Sequence, residues 1–212
     1  MTKSLYYIHD PMCSWCWGFR PVWQKIQQQL PQDLNVTYVL GGLAPDSDQT
    51  MPNHMQAYIQ QTWKKIQQHI PETKFNFDFW RKCEPRRSTY PACRGVLAAK
   101  KQGAEFEWPM IEAIQNAYYL EALNPSNNDT LVEIAEKIGL DKTQFWQTLE
   151  AKKTQLMLEE DLSLCEHLFV QSGTSGFPSL MLQLDEQYLA VPRNYTEADI
   201  ALDFIREKLG ET

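Results

Sequence analysis

Apolar positions near the start of the chain change period twice. Residues 4–9 are rich in Leu, Tyr and Ile and run into Asp10-Pro11, which predicts a short strand stopped by a turn. Phe19, Val22, Trp23, Ile26 and Leu30 then step by three or four, the spacing of one helix face, and Pro31 closes that helix. Residues 35–40 (Asn-Val-Thr-Tyr-Val-Leu) predict a second strand, stopped by Gly41-Gly42. A strand, a crossover helix and a strand make a βαβ unit, which sets the two strands parallel.

From about residue 50 to 172 the helical period dominates. Met55, Tyr58, Ile59, Trp63, Ile66 and Ile70 form one stripe ended by Pro71. Phe75, Phe77 and Phe79 alternate, so extended backbone is one option for that short piece. Further helices are expected from Pro91 to Gly103, from Pro109 through Tyr118, after a cap at Asp129, and after a cap at Asp141. Leu158, Leu162, Cys165 and Phe169 share a face of a longer helix ended by Gly173. Beyond Pro178 the period returns to that of strands: 179–184 and 187–191 around Asp185-Glu186 predict a hairpin. Thr196 with Asp199 resembles a capping box opening a last helix through Ile200, Phe204, Ile205 and Leu209. Each flank holds too little apolar surface to fold alone. The expectation is therefore one α/β domain built from 1–49 and 173–212, with an all-helical subdomain, 50–172, inserted between its halves.

Composition narrows the function classes. Apolar residues make up 43% and charged residues 22% of 212, ordinary for a soluble globular chain with a sizeable core. The formal net charge of -7 argues against nucleic acid and anionic membrane surfaces as partners, since both require a basic footprint. No stretch approaches the roughly 18 apolar residues of a membrane span, and the opening reads as a strand, not a signal sequence. The expected location is the cytoplasm. There the five cysteines (Cys13, Cys16, Cys83, Cys93 and Cys165) are expected to be mostly thiols, and one close pair is more readily chemical than structural.

That pair is Cys13-Ser14-Trp15-Cys16. It stands where the first strand ends and the first helix begins, so unpaired N–H groups and the positive end of the helix dipole favour a thiolate on Cys13. Two intervening residues place Cys16 one turn further in, within reach of the first sulfur. The outer sulfur can attack a disulfide and the inner one resolve the mixed disulfide. Spacing alone also allows half a zinc site. Zinc needs two more ligands, and neither a second C-x-x-C nor a closely spaced His pair exists, so no metal is expected. The second candidate is Gly173-Thr174-Ser175-Gly176-Phe177-Pro178, just before the terminal hairpin. Read alone, it is a loop stopped by a proline, with a cis bond as the rarer alternative.

With these motifs in place the chain resembles the thioredoxin superfamily, and within it the DsbA-like branch. Asp10-Pro11-Met12-Cys13-Ser14-Trp15-Cys16-Trp17-Gly18-Phe19 is similar to the FrnE-like disulfide isomerases of that branch. Tyr90-Pro91-Ala92-Cys93-Arg94, Ala117-Tyr118-Tyr119-Leu120-Glu121-Ala122 and Gly176-Phe177-Pro178-Ser179 agree with it. The resemblance implies a thioredoxin-like fold, Cys13 as nucleophile, Cys16 as resolving thiol and Pro178 as a cis-proline facing them. It also implies that Phe177 offers backbone N–H and C=O to an extended substrate by strand addition. No cofactor is implied. The implied partners are protein or small-molecule disulfides and a thiol reductant such as glutathione or a thioredoxin-type system.

One departure bears on direction. The oxidising periplasmic members carry a His between the cysteines, whereas Ser14-Trp15 supplies no positive charge, so reduction or isomerisation is expected over oxidation. Two other readings stand beside this one. Glutathione-dependent transferases and isomerases of the kappa and hydroxychromene-carboxylate type share the architecture but carry Ser at the nucleophile position. A non-enzymatic peptide-binding module leaves the cysteine pair unexplained. Among neighbouring residues, Trp15 is expected to be exposed and to touch substrate, while Trp17 is the candidate to pack on the insertion. His9 is expected to be solvated at its strand end, with tuning of the thiolate as the alternative. Cys93 is either a small buried residue or a second reactive thiol, with Cys83 as a possible mate. Cys165 is expected in the core.

Overall fold

The computed structural model describes residues 3–210. Its elements follow the order strand β1 (Lys3–His9), helix α1 (Ser14–Gln29), strand β2 (Asn35–Leu40), seven α-helices, strands β3 (Ser179–Leu184) and β4 (Gln187–Ala190), and a last helix. The seven are α2 (Asn53–His69), α3 (Phe79–Lys82), α4 (Tyr90–Gln102), α5 (Glu107–Tyr119), α6 (Asn128–Lys137), α7 (Lys142–Leu149) and α8 (Lys152–Ser172); the last helix is α9 (Asp199–Leu209).

The four strands form one sheet in the order β2-β1-β3-β4. β1 runs parallel to β2 with Leu5 opposite Val36, and antiparallel to β3 with Leu5 opposite Leu182. β3 and β4 form the expected hairpin, turned at Asp185 with φ 51. Alternation along β1 divides the sheet's two faces. Leu5 and Tyr7 join Phe19, Val22, Trp23 and Ile26 of α1 and Leu202 and Ile205 of α9 in one core. Ile8 points the other way, to Cys165 and Leu168 of α8 and Met181 of β3. The sheet is thus covered on both faces. The third and largest core lies among α2 to α8 and takes in Met12, Trp17 and Leu40 from the sheet-bearing part.

Three local expectations are corrected. Residues 75–78 are not a strand. Their alternating rings instead surround the fully buried Trp63, which stacks on Phe75 at 4.9 Å and meets Phe77 and Phe79 edge-on or tilted. Asp129 does not cap α6; Asn127 holds the N-cap position, and Asp129 lies in the first turn, where a carboxylate suits the dipole. Thr196 does not cap α9, because the Asn194 side chain accepts from the amides of Thr196 and Glu197 and the helix opens only at Asp199. Asp141 does cap α7, its carboxylate accepting from Gln144 N at 2.6 Å. Gly173 ends α8 with φ 65, the left-handed conformation that glycine adopts freely. No helix among the described residues is long and apolar enough to cross a membrane.

Candidate active site

The site grows from the turn between β1 and α1. Cys13 is the N-cap of α1, with φ -77 and ψ 119. Its amide donates to the Asp10 carbonyl at 3.0 Å and its carbonyl accepts from Trp17 N at 3.0 Å, so the first helical turn starts at this residue. Cys13 is 6% exposed and Cys16 fully buried. Both are free thiols. Burial, first, and then the Cys13 sulfur, as hydrogen-bond partner and as charge, push the Cys16 thiol well above its ordinary range.

The opposing wall is the loop before β3. The Phe177–Pro178 bond is cis, and the Phe177 carbonyl oxygen lies 3.9 Å from Cys13 Sγ. Arg193, between β4 and α9, donates to the Pro178 carbonyl, and Ser179 Oγ donates to the Gly176 carbonyl at 2.7 Å. Cys13 and Phe177, 164 residues apart, are therefore brought together as expected. Cys16 lies one turn inward. Trp15 departs from expectation: it is half-buried, packed against Tyr195 at 4.9 Å between ring centroids and against His69 at 6.2 Å. Trp17 packs on the helical block, its indole N–H donating to the Lys74 carbonyl and its ring stacked on Tyr119.

His9 also departs from expectation. The strand end is covered, His9 is fully buried, and neither ring nitrogen has a hydrogen-bond partner among the described residues. It stacks on Tyr7 at 5.0 Å, and Tyr7 stacks in turn on Trp23 at 4.5 Å, so the imidazole serves as one ring of an aromatic pile. Burial holds it down to about 3, in the neutral form.

Several residues of the site escaped the sequence reading. Asp10 looked like a turn residue. It is a fully buried carboxylate that accepts from Met12 N at 2.7 Å, Leu43 N at 2.7 Å and Thr89 Oγ1 at 2.6 Å. Burial raises it and these three bonds pull it back. It thereby ties the cysteine turn to the segment after β2 and to the start of α4. Cys93 faces it, Sγ to Oδ2 at 3.8 Å, and burial pushes that thiol well above its ordinary range. Cys83 is not its mate; its thiol donates to the Ala122 carbonyl at 3.1 Å. Ser14 is pinned from outside the motif, accepting from the Trp63 indole N–H at 2.9 Å, and the Met12 carbonyl accepts from Tyr119 Oη at 2.7 Å. Cys165 is buried on the far sheet face, as expected.

A turn-and-helix presenting two thiols to a proline-containing loop, on a four-stranded sheet covered on both faces, defines a thioredoxin-type protein. The chain belongs to the thioredoxin family, whose model, described as thioredoxin, matches residues 6–190. Its fold is that of the DsbA-like branch. A "putative protein disulfide isomerase from Nitrosomonas europaea" superposes with a TM-score of 0.85 at 25% identity, over 100% of this chain and 99% of that one. The cytosolic disulfide reductase DsbM from Pseudomonas aeruginosa superposes with a TM-score of 0.79 at 23% identity, over 99% and 100%. In sequence the chain is 24% identical over 210 residues to the ClpXP adapter protein SpxH of Halalkalibacterium halodurans, covering 98% of this chain and 68% of that protein.

Proposed function

We propose that this chain is a dithiol oxidoreductase that reduces or isomerises disulfides in the cytoplasm through a mixed disulfide on Cys13. The observation that carries the reading is the placement of Cys13 at the N-cap of α1, 3.9 Å from the Phe177 carbonyl, with Cys16 buried one turn behind.

The Cys13 thiolate attacks one sulfur of a substrate disulfide. A Cys13–substrate S–S bond forms, the substrate bond breaks, and one substrate thiolate leaves and takes up a proton. Cys16 then loses its proton and attacks Cys13. The second substrate thiolate leaves, and the pair is a disulfide two electrons poorer. Two equivalents of an external thiol restore the dithiol and leave as their own disulfide, or two substrate thiols join as a different bridge and pass their two electrons back to the Cys13–Cys16 disulfide, which is isomerisation. Burial and Cys13 together keep Cys16 protonated in the resting dithiol. Once Cys13 is bonded to substrate its charge is gone, so part of that opposition lifts at the moment Cys16 must act. Phe177 offers its backbone to an extended substrate, and Trp15, held by Tyr195 and His69, forms the neighbouring rim.

Direction follows from charge. Ser14-Trp15 supplies no cation to the thiolate, and burial, with Cys13 beside it, opposes ionisation of Cys16. A dithiol stabilised so little gives a disulfide of weak oxidising power. Glutathione is the proposed thiol partner, in line with DsbM, which has also been solved with GSH. In this proposal residues 1–49 and 173–212 carry the chemistry and 50–172 form an inserted cover.

The test is reduction of a protein disulfide with glutathione, or thioredoxin and its reductase, as electron source. Wild type turns over and Cys13→Ser falls to background. Full activity in Cys13→Ser overturns the reading. A second reading, an adapter that binds a partner protein without turnover, is favoured by the likeness to SpxH. It predicts partner capture that survives loss of both sulfurs.

A further inference from the structure

Further along α1 lies a cavity that neither cysteine lines. It measures about 650 Å³, inside the usual range of small-molecule sites, and is walled by α1, the segment 70–74 after α2, Leu120 at the end of α5 and Tyr195 before α9. The lining is apolar over Val22, Ile70, Pro71 and Leu120. Its charges are three cations, Arg20, Lys25 and Lys74, against the single carboxylate of Glu72, in a chain of net charge -7. None of these four side chains makes an ion pair among the described residues. Arg20 is the fixed point of this charge. It is half-buried, its guanidinium lies 4.1 Å above the Trp17 ring, and its Nη1 donates to Asn116 Oδ1 at 2.9 Å. Trp17 is itself anchored, its indole N–H donating to the Lys74 carbonyl at 3.0 Å. Nε and Nη2 of Arg20 have no hydrogen-bond partner among the described residues. Glu112, the acid whose field Arg20 meets, accepts instead from Gln24 Nε2 at 2.6 Å. The guanidinium is therefore held in place yet left with unused donors, and its planar fork matches a carboxylate.

We propose that this cavity binds a small amphipathic carboxylate, one acid group on an apolar or aromatic body, independently of the dithiol chemistry. Arg20 takes the acid group, Lys25 and Lys74 add attraction from the exposed edge, and the body lies along the apolar wall toward Leu120. A bare inorganic anion would leave that wall in water. A neutral apolar ligand would take Arg20 out of water and give it no partner.

The test is titration calorimetry of the intact protein with phenylbutyrate, with its neutral analogue phenylbutanol and with inorganic phosphate. The readout is the ratio of the alcohol and acid dissociation constants, in which a variant's effect on the shape of the cavity cancels. Wild type is expected to bind the acid about tenfold more tightly than the alcohol, as one charge-assisted hydrogen bond implies, and to bind phosphate more weakly than the acid. The preference should vanish in Arg20→Gln. It should narrow in Leu120→Glu, which sets a like charge at the rim on a residue already 39% exposed. No saturable binding of the acid, phosphate bound as tightly as the acid, or a preference unchanged in Arg20→Gln overturns the proposal. Should Arg20→Gln fail to fold, an unchanged preference in Leu120→Glu does the same.

Discussion

His9 shows how far a single side chain can be displaced from its expected role by the layer that covers it. A fully buried imidazole held down to about 3 binds no proton in the folded state until strong acid, whereas the unfolded chain binds one below about 6.5. Between those values the unfolded state holds the extra proton, so stability falls as pH falls, by about 1.4 kcal/mol per unit from this group. Asp10, also buried, has the opposite sign: raised by burial, it gives up stability as pH rises. Comparison with His9→Phe isolates the histidine. Phe keeps the ring on Tyr7, and denaturant midpoints from pH 7 to pH 4 should fall less steeply in the variant than in wild type. Equal slopes would mean that His9 is not buried neutral.

Among elements, the contact that sets the site is between the end of β2 and the loop before β3. A Cβ added at Gly41 would overlap the Phe177 ring, so the residue whose backbone carbonyl faces Cys13 rests its ring directly on a residue without a side chain. Gly41→Ala must swing that ring aside. The expected cost is about 1–3 kcal/mol of overpacking, with a fall of about tenfold in disulfide-reduction kcat/KM as the Phe177 backbone shifts. Thermal unfolding and steady-state rates check the two separately. Retained activity would show that the position of Phe177 does not matter.

The elements also mark where sequence reading stops. β1, α1, β2 and the terminal hairpin were legible because their signals are local: a period, a proline, a turn pair. Cys13 and Cys16 were legible for the same reason, and Pro178 through a motif of four residues. The residues that hold them were not. Trp63 reaches Ser14 across 49 positions, Thr89 reaches Asp10 across 79 and Tyr119 reaches Met12 across 107, so no window along the chain contains both partners. The Phe75–Phe79 alternation was misread because rings gathered around one tryptophan repeat every second residue just as a strand does.

At the scale of the whole molecule, the helices between β2 and β3 brace the cysteine turn as well as covering it. Met12 and Trp17 belong to the largest helical core, and Asp10 bonds to the start of α4, so the cysteine turn is held from outside the sheet. The same cover brings Arg87 to the edge of the site in a chain that is acidic as a whole. That division of labour, with the cysteines at the start of α1 and their supports in the helical block, fits the DsbA-like fold.

The central claim is that Cys13 attacks and Cys16 resolves. Intact-protein mass spectrometry after glutathione disulfide treatment of pre-reduced wild type, Cys13→Ser and Cys16→Ser, with peptide mapping of any adduct, tests it most directly. Wild type should pass to an internal disulfide without lasting adduct, and Cys16→Ser should stop as a single glutathionyl adduct on Cys13. Cys13→Ser should gain nothing in the peptide bearing Cys16. A stable adduct on Cys16, or one confined to half-exposed Cys83 while Cys13 stays free, would contradict it.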